Sequence, residues 1–114
     1  MVQSLKFSVI GENDDVFEVT ISRDANNSSN LKASCTCGQA RRGEFCGHRF
    51  DILEGERANL ASDNVDDLDV LAAWIRGSDI ESAMKELSKA RSDLNVARDN
   101  LAYKRRMLVK RMLD

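Results

Sequence analysis

The sequence predicts an α+β fold: a small antiparallel β-sheet with one short helix, followed by a helical hairpin whose second arm is long. Three observations predict it. Apolar and polar residues alternate with period two in the first third of the chain, Cys35, Cys37, Cys46 and His48 gather near its middle, and neither Pro nor Gly interrupts the stretch from Ser78 to Asp114. The expected division is a β-β-β-α module over residues 1–60 and a helical part over residues 61–114.

Leu5, Phe7 and Val9 alternate with Lys6 and Ser8, and Phe17, Val19 and Ile21 alternate with Glu18, Thr20 and Ser22, so two half-buried strands flank a turn at Gly11 to Asp15. A second polar turn covers Ala25 to Asn30, after which Leu31, Ala33 and Cys35 resume the alternation as a third strand. Between Gly43 and Glu54, Phe50 and Leu53 stand at helical spacing behind Glu44, an acidic first-turn residue, and Gly55 is placed to end that helix. Leu68, Leu71, Ala72 and Ile75 then form one apolar helical face, with Asn64 as the candidate N-cap, Gly77 as the stop, and Asp66, Asp67 and Asp69 at the positive end of the dipole. Trp74, one position from this face, is expected in the core or the hairpin. Ser78 and Glu81 make an S-x-x-E capping box that opens the last helix. At 1.5 Å per residue it reaches about 50 Å, too long for so small a sheet to cover.

The 114 residues carry 17 Lys and Arg against 19 Asp and Glu, a net charge of −2, which excludes a uniformly basic nucleic-acid coat. No apolar run approaches the ~18 residues of a membrane helix, and Met1 to Ile10 holds no apolar signal-peptide core, so no membrane association is expected. The expected setting is intracellular and cytoplasmic, with nucleus or nucleoid as alternatives. Three cysteines, an odd count, fit poorly with a secreted disulfide framework.

Cys35, Cys37, Cys46 and His48 follow the pattern CxC, eight residues, CxH, and use every cysteine and the only histidine of the chain. Three thiolates and an imidazole suit Zn²⁺, which takes four such ligands tetrahedrally in structural sites. Full occupancy leaves no open position for a catalytic water, so one structural zinc per chain is expected. The alternatives are buried free cysteines beside an incidental histidine, or a disulfide with one leftover thiol. A Cys35–Cys37 bond would strain a very short loop. With zinc and three thiolates the chain would carry about −3.

A strand, CxC, a polar loop with Gly43, and Cys46-Gly47-His48 opening a helix resemble the SWIM zinc finger over about Val16 to Gly55. The resemblance implies zinc ligation by Cys35, Cys37, Cys46 and His48, a small sheet followed by a helix, and zinc-dependent binding of DNA or proteins. Phe45 stands where many relatives have a proline before the third ligand.

Arg41, Arg42 and Arg49 flank the ligands, and Lys104, Arg105, Arg106, Lys110 and Arg111 form an acid-free basic run. Both are candidate contacts for phosphate or an acidic partner. Ile80, Leu87, Leu94, Leu101 and Leu108 recur every seven residues as an a-type stripe, with Ala83, Ala90 and Ala97 at d. Glu86, Asp93 and Asn100 at g face Arg91, Arg98 and Arg105 at e in a parallel pair, which favours a weak parallel homodimer. The intramolecular competitor is packing of the stripe on Leu68, Leu71 and Ile75.

No phosphate-cradling loop, spare histidine or nucleophile beside a base argues for catalysis. The expected function is therefore a zinc-stabilised interaction adaptor that binds protein through its C-terminal helices. The alternative is a nucleic-acid-binding module using the zinc loop and the basic helix end, and, below it, a redox or zinc sensor.

Overall fold

The computed structural model describes residues 2–24 and 26–114 of the chain. It is an α+β protein with a three-stranded antiparallel sheet, short helices and a long C-terminal helix. Strands β1 (Val2–Ile10), β2 (Val16–Asp24) and β3 (Asn27–Cys35) lie in the order β1-β2-β3. Four helices follow: α1 (Gly38–Arg41), α2 (Gly47–Leu53), α3 (Asp67–Ile75) and α4 (Asp79–Leu113).

Register carries the period-two alternation into a common face. Phe7 pairs with Val19 and Val19 with Cys35, while Leu5 pairs with Ile21 and Ile21 with Ala33. Phe7, Val9, Val19, Ile21, Leu31 and Cys35 are buried on this face, against Ile52 of α2 and Leu68, Leu71 and Trp74 of α3. Alternation thus places these apolar residues of all three strands on one face of the sheet.

Both outer strands have part of their edge covered. Beside β1, Ile10 N–H donates to Asn59 O (2.8 Å), Ala61 N–H to Ser8 O (2.7 Å) and the Asn64 amide to Lys6 O (2.7 Å). On β3 the Leu31 N–H donates to the Asp79 carboxylate at 3.1 Å. Such closures occupy backbone groups that would otherwise invite another strand.

Several elements differ from the sequence expectation. β3 starts at Asn27, so most of the expected polar turn is strand, because the chain reverses tightly with Asn26 N–H bonded to Asp24 Oδ1 at 2.9 Å. Ala25, the first residue of that expected turn, lies outside the described residues. The helix expected from Gly43 begins only at Gly47, and a separate turn of helix, α1, precedes it. Asn64 is not the N-cap of α3: its amide donates to Lys6 O and to Asp67 Oδ2 (3.0 Å), tying the helix entrance to β1.

The buried face of α3 is Leu68, Leu71 and Trp74 rather than one that includes Ala72, which is exposed. Arg23 lies over the Trp74 ring at 4.5 Å, a cation–π contact between β2 and α3. A turn at Ile75–Ser78, closed by Ser78 N–H to Ile75 O at 2.9 Å with Gly77 at φ +75°, links α3 to α4. The capping box forms by half: Glu81 N–H reaches Ser78 Oγ (3.2 Å), while the Glu81 carboxylate accepts from Gly77 N–H (3.3 Å) instead of from Ser78.

The chain forms two compact units, one up to Glu81 and one from Ser82 to Asp114. Residues 61–81, read from the sequence with the long helix, supply Leu68, Leu71 and Trp74 to the sheet's core. The second unit is helix alone: α4 has 35 residues, none buried, and Ser88 to Arg106 are exposed without exception. Among the described residues no helix is long and apolar enough to cross a membrane.

Leu71→Ala should lower unfolding free energy by about 2–5 kcal/mol, whereas Ala72→Ser should change it by less than about 0.5 kcal/mol. Urea titration of both variants checks which side of α3 faces the core.

Candidate metal centre

Three chain segments deliver the four ligand atoms. Cys35 ends β3, Cys37 precedes α1, and Cys46 and His48 open α2. Thr36 continues the sheet pairing past the end of β3, its N–H bonded to Glu18 O at 3.1 Å and its hydroxyl accepting from Glu18 N–H at 3.0 Å, so both flanking cysteines are fixed relative to β2.

From Cys37 the chain must turn back to Cys46, and it does so through a helical turn that ends in a Schellman motif. Gly43 N–H bonds to Ala40 O and Glu44 N–H to Gln39 O, both at 3.0 Å, with Gly43 at φ +75°, where a side chain would be strained. Arg49 holds the returning loop, donating to Ala33 O at 3.2 Å and to Glu44 O at 2.8 Å.

The one thiolate or imidazole donor from each of Cys35, Cys37, Cys46 and His48 lies within 4.8 Å of the others. Cys37 Sγ stands 3.3 Å from Cys46 Sγ, and His48 Nδ1 stands 3.6 Å from Cys46 Sγ and 3.8 Å from Cys35 Sγ. Tetrahedral ligation at the usual metal–sulfur and metal–nitrogen lengths needs about 3.8 Å between sulfurs and about 3.6 Å from sulfur to nitrogen. The four residues therefore can hold one metal ion at their centre. The cysteines are all free and buried, and His48 is half-buried beside them.

The thiols are unequal. Burial pushes Cys35 up to about 12. Burial also pushes Cys37 upward, but the Ala40 N–H and hydrogen bonds from His48, Cys46 and Cys35 outweigh it and hold that thiol down at about 6. Near neutral pH the metal-free site thus pairs a Cys37 thiolate with a protonated Cys35, and a metal ion must displace the latter's proton.

Two residues support His48 that the spacing pattern does not name. Phe17 packs on the imidazole with centroids 4.8 Å apart and planes inclined by 30°. Gly11 passes so close that a Cβ there would stand 2.6 Å from Phe17 Cε2 and 3.1 Å from His48 Nε2. The only sequence signal for Gly11 is its place at the start of a turn, which says nothing of the ring that passes beneath it.

The basic candidates have different surroundings. Arg49 is occupied by the two carbonyls above, Arg42 pairs with Glu44 at 3.1 Å on the surface, and Arg41 is exposed. Lys104, Arg105, Arg106, Lys110 and Arg111 are exposed on α4, with Lys104 and Arg106 each 6.0 Å from the Tyr103 ring. The stripe residues Leu94, Leu101 and Leu108 are exposed by 50%, 51% and 58%, whereas Ile80 packs on the core.

Two outcomes follow. Metal analysis should find one ion per chain, lost in Cys46→Ser, and bound more weakly in Gly11→Ala because Phe17 and His48 must shift. Apparent metal affinity should fall by at least about tenfold for each pH unit between pH 8 and 6, because Cys35 is protonated throughout that range and must release its proton to bind, and more steeply below about 6, where Cys37 is protonated too. Competition titrations against a chelator check both. In comparison with known proteins, no family model, no curated protein and no solved structure matches this chain.

Proposed function

We propose that this chain is a zinc-stabilised interaction adaptor that binds protein through its long C-terminal helix and catalyses no reaction. The observation that carries the reading is the donor set: three buried cysteines and one histidine bring four ligand atoms within 4.8 Å of one another, the number that fills a tetrahedral structural zinc. Three sulfurs and one imidazole favour Zn²⁺ among divalent ions, and zinc there would serve the fold. The SWIM-like CxC and CxH spacing agrees with such a module and rests on the motif alone.

Binding through α4 is supported by its exposure. A 35-residue helix with no buried residue and with Leu94, Leu101 and Leu108 half exposed along one stripe presents apolar surface that isolated soluble helices rarely leave open. The nucleic-acid reading is supported less well: the net charge is −2, and the Arg49 donors are taken by backbone carbonyls.

Elemental analysis of chain purified without chelator should show zinc at one equivalent. Binding to random duplex or single-stranded DNA near physiological salt should be weak, should fall further as salt rises, and should largely vanish when Lys104 to Asp114 are removed. Fluorescence anisotropy measures it, and tight, salt-insensitive binding that survives the truncation would overturn the adaptor reading. A photo-crosslinker at position 101 should yield protein adducts in the native cell, and one at position 41 should yield no nucleic-acid adducts.

A further inference from the structure

The surface of α4 that the proposed adaptor would use has a specific occupant. We infer that it is a second copy of the same chain, lying parallel, so this inference rests on the reading of α4 as a protein-binding arm and names its partner.

Exposure along α4 shows which part of the stripe is open. Of Leu68, Leu71 and Ile75 of α3, the residues on which the stripe could fold back, Leu68 and Leu71 are buried at 4% and 1% exposure in the core formed with the sheet, and Ile75 is half-buried beside them. Within the stripe only Ile80 packs on that core, and from Leu94 onward the leucines are half exposed. The open part of the stripe therefore runs through Leu94, Leu101 and Leu108.

Charge placement then selects the partner. With Leu87, Leu94, Leu101 and Leu108 at a, alanines occupy d at 90 and 97, and the flanking rows are Glu86, Asp93 and Asn100 at g against Arg91, Arg98 and Arg105 at e. One continuous helix from Asp79 to Leu113 keeps these rows in phase along the whole face. In a parallel pair Glu86 meets Arg91 of the second copy and Asp93 meets its Arg98, twice each by symmetry. In an antiparallel pair centred near Leu94 and Ala97, Arg91 would meet Arg98, and like charges would repel.

Asp93 also pairs with Lys89 along its own helix at 2.9 Å, with side chains 65% and 79% exposed. Such a solvated contact leaves the carboxylate able to meet a second cation. Alanine at d brings the helix axes close but buries little, and Lys104 at d interrupts the seam, so the pair is weak and concentration-dependent. Parallel pairing attaches both metal-bearing units to the same end of the arms, which makes the dimer bivalent toward any ligand of those units.

Sedimentation equilibrium of the full zinc-loaded chain, with zinc content measured on the same samples, tests the inference. The mass should rise from 12.8 kDa toward twice that value between about 1 µM and 1 mM. Leu94→Asp with Leu101→Asp should keep the zinc and the helical circular dichroism and remain monomeric. Arg98→Glu should raise the dissociation constant by about threefold or more, and adding Asp93→Lys should restore it. A wild type that stays monomeric, a dimer indifferent to the two aspartates, or an Arg98→Glu variant that associates more tightly would each overturn parallel self-pairing. Because zinc content is read independently, a zinc-loaded monomer would overturn only this inference, whereas zinc-free protein would overturn the proposed metal module.

Discussion

Four side chains drawn to within 4.8 Å of one another join the end of β3, the entrance of α1 and the entrance of α2. The first unit is small, and its sheet buries only one face, so burial alone leaves a narrow margin. Structural zinc in comparable small sites contributes about 10–16 kcal/mol of apparent binding free energy, as much as the stability of many whole domains. The unequal thiols fit this role, since the proton held by Cys35 and the charge held by Cys37 leave the site incomplete until a cation replaces one and neutralises the other.

Around that centre the backbone is arranged to present ligands and to waste few polar groups. Gly43 reverses the chain between Cys37 and Cys46, and Arg49 crosses from α2 to take the carbonyls of Ala33 and Glu44. Phe17 comes from the opposite side to lie against His48, and Gly11 leaves room for both. A basic residue beside a metal ligand thus has two physical uses, phosphate contact and carbonyl clamping. Arg49 serves the second, because its acceptors are backbone oxygens already present within 3.2 Å.

The second unit obeys a different logic. Its helix has no tertiary core, so its order depends on helix propensity and on local pairs such as Lys89 with Asp93. The two units differ accordingly: one is held by burial and a candidate metal centre, the other exposes an apolar and charged helix face.

The sequence by itself determined the strand alternation, the ligand quartet, the long uninterrupted helix and the heptad stripe, because each is a spacing rule acting within one element or between near neighbours. Only the tertiary structure decided which side of α3 is buried, where Ala72 is exposed and Trp74 is not, since a 3.6-residue repeat admits neighbouring faces and the sheet selects one. The same holds for Asn64, whose amide N–H group reaches the Lys6 carbonyl on a strand far away in the sequence while Asp66 takes the N-cap position, and for α1, whose single turn carries no apolar period to announce it. Gly11 is the clearest case: its role depends on the approach of Phe17 and His48 from distant positions, and a contact between residues far apart in the chain leaves no mark on local sequence pattern.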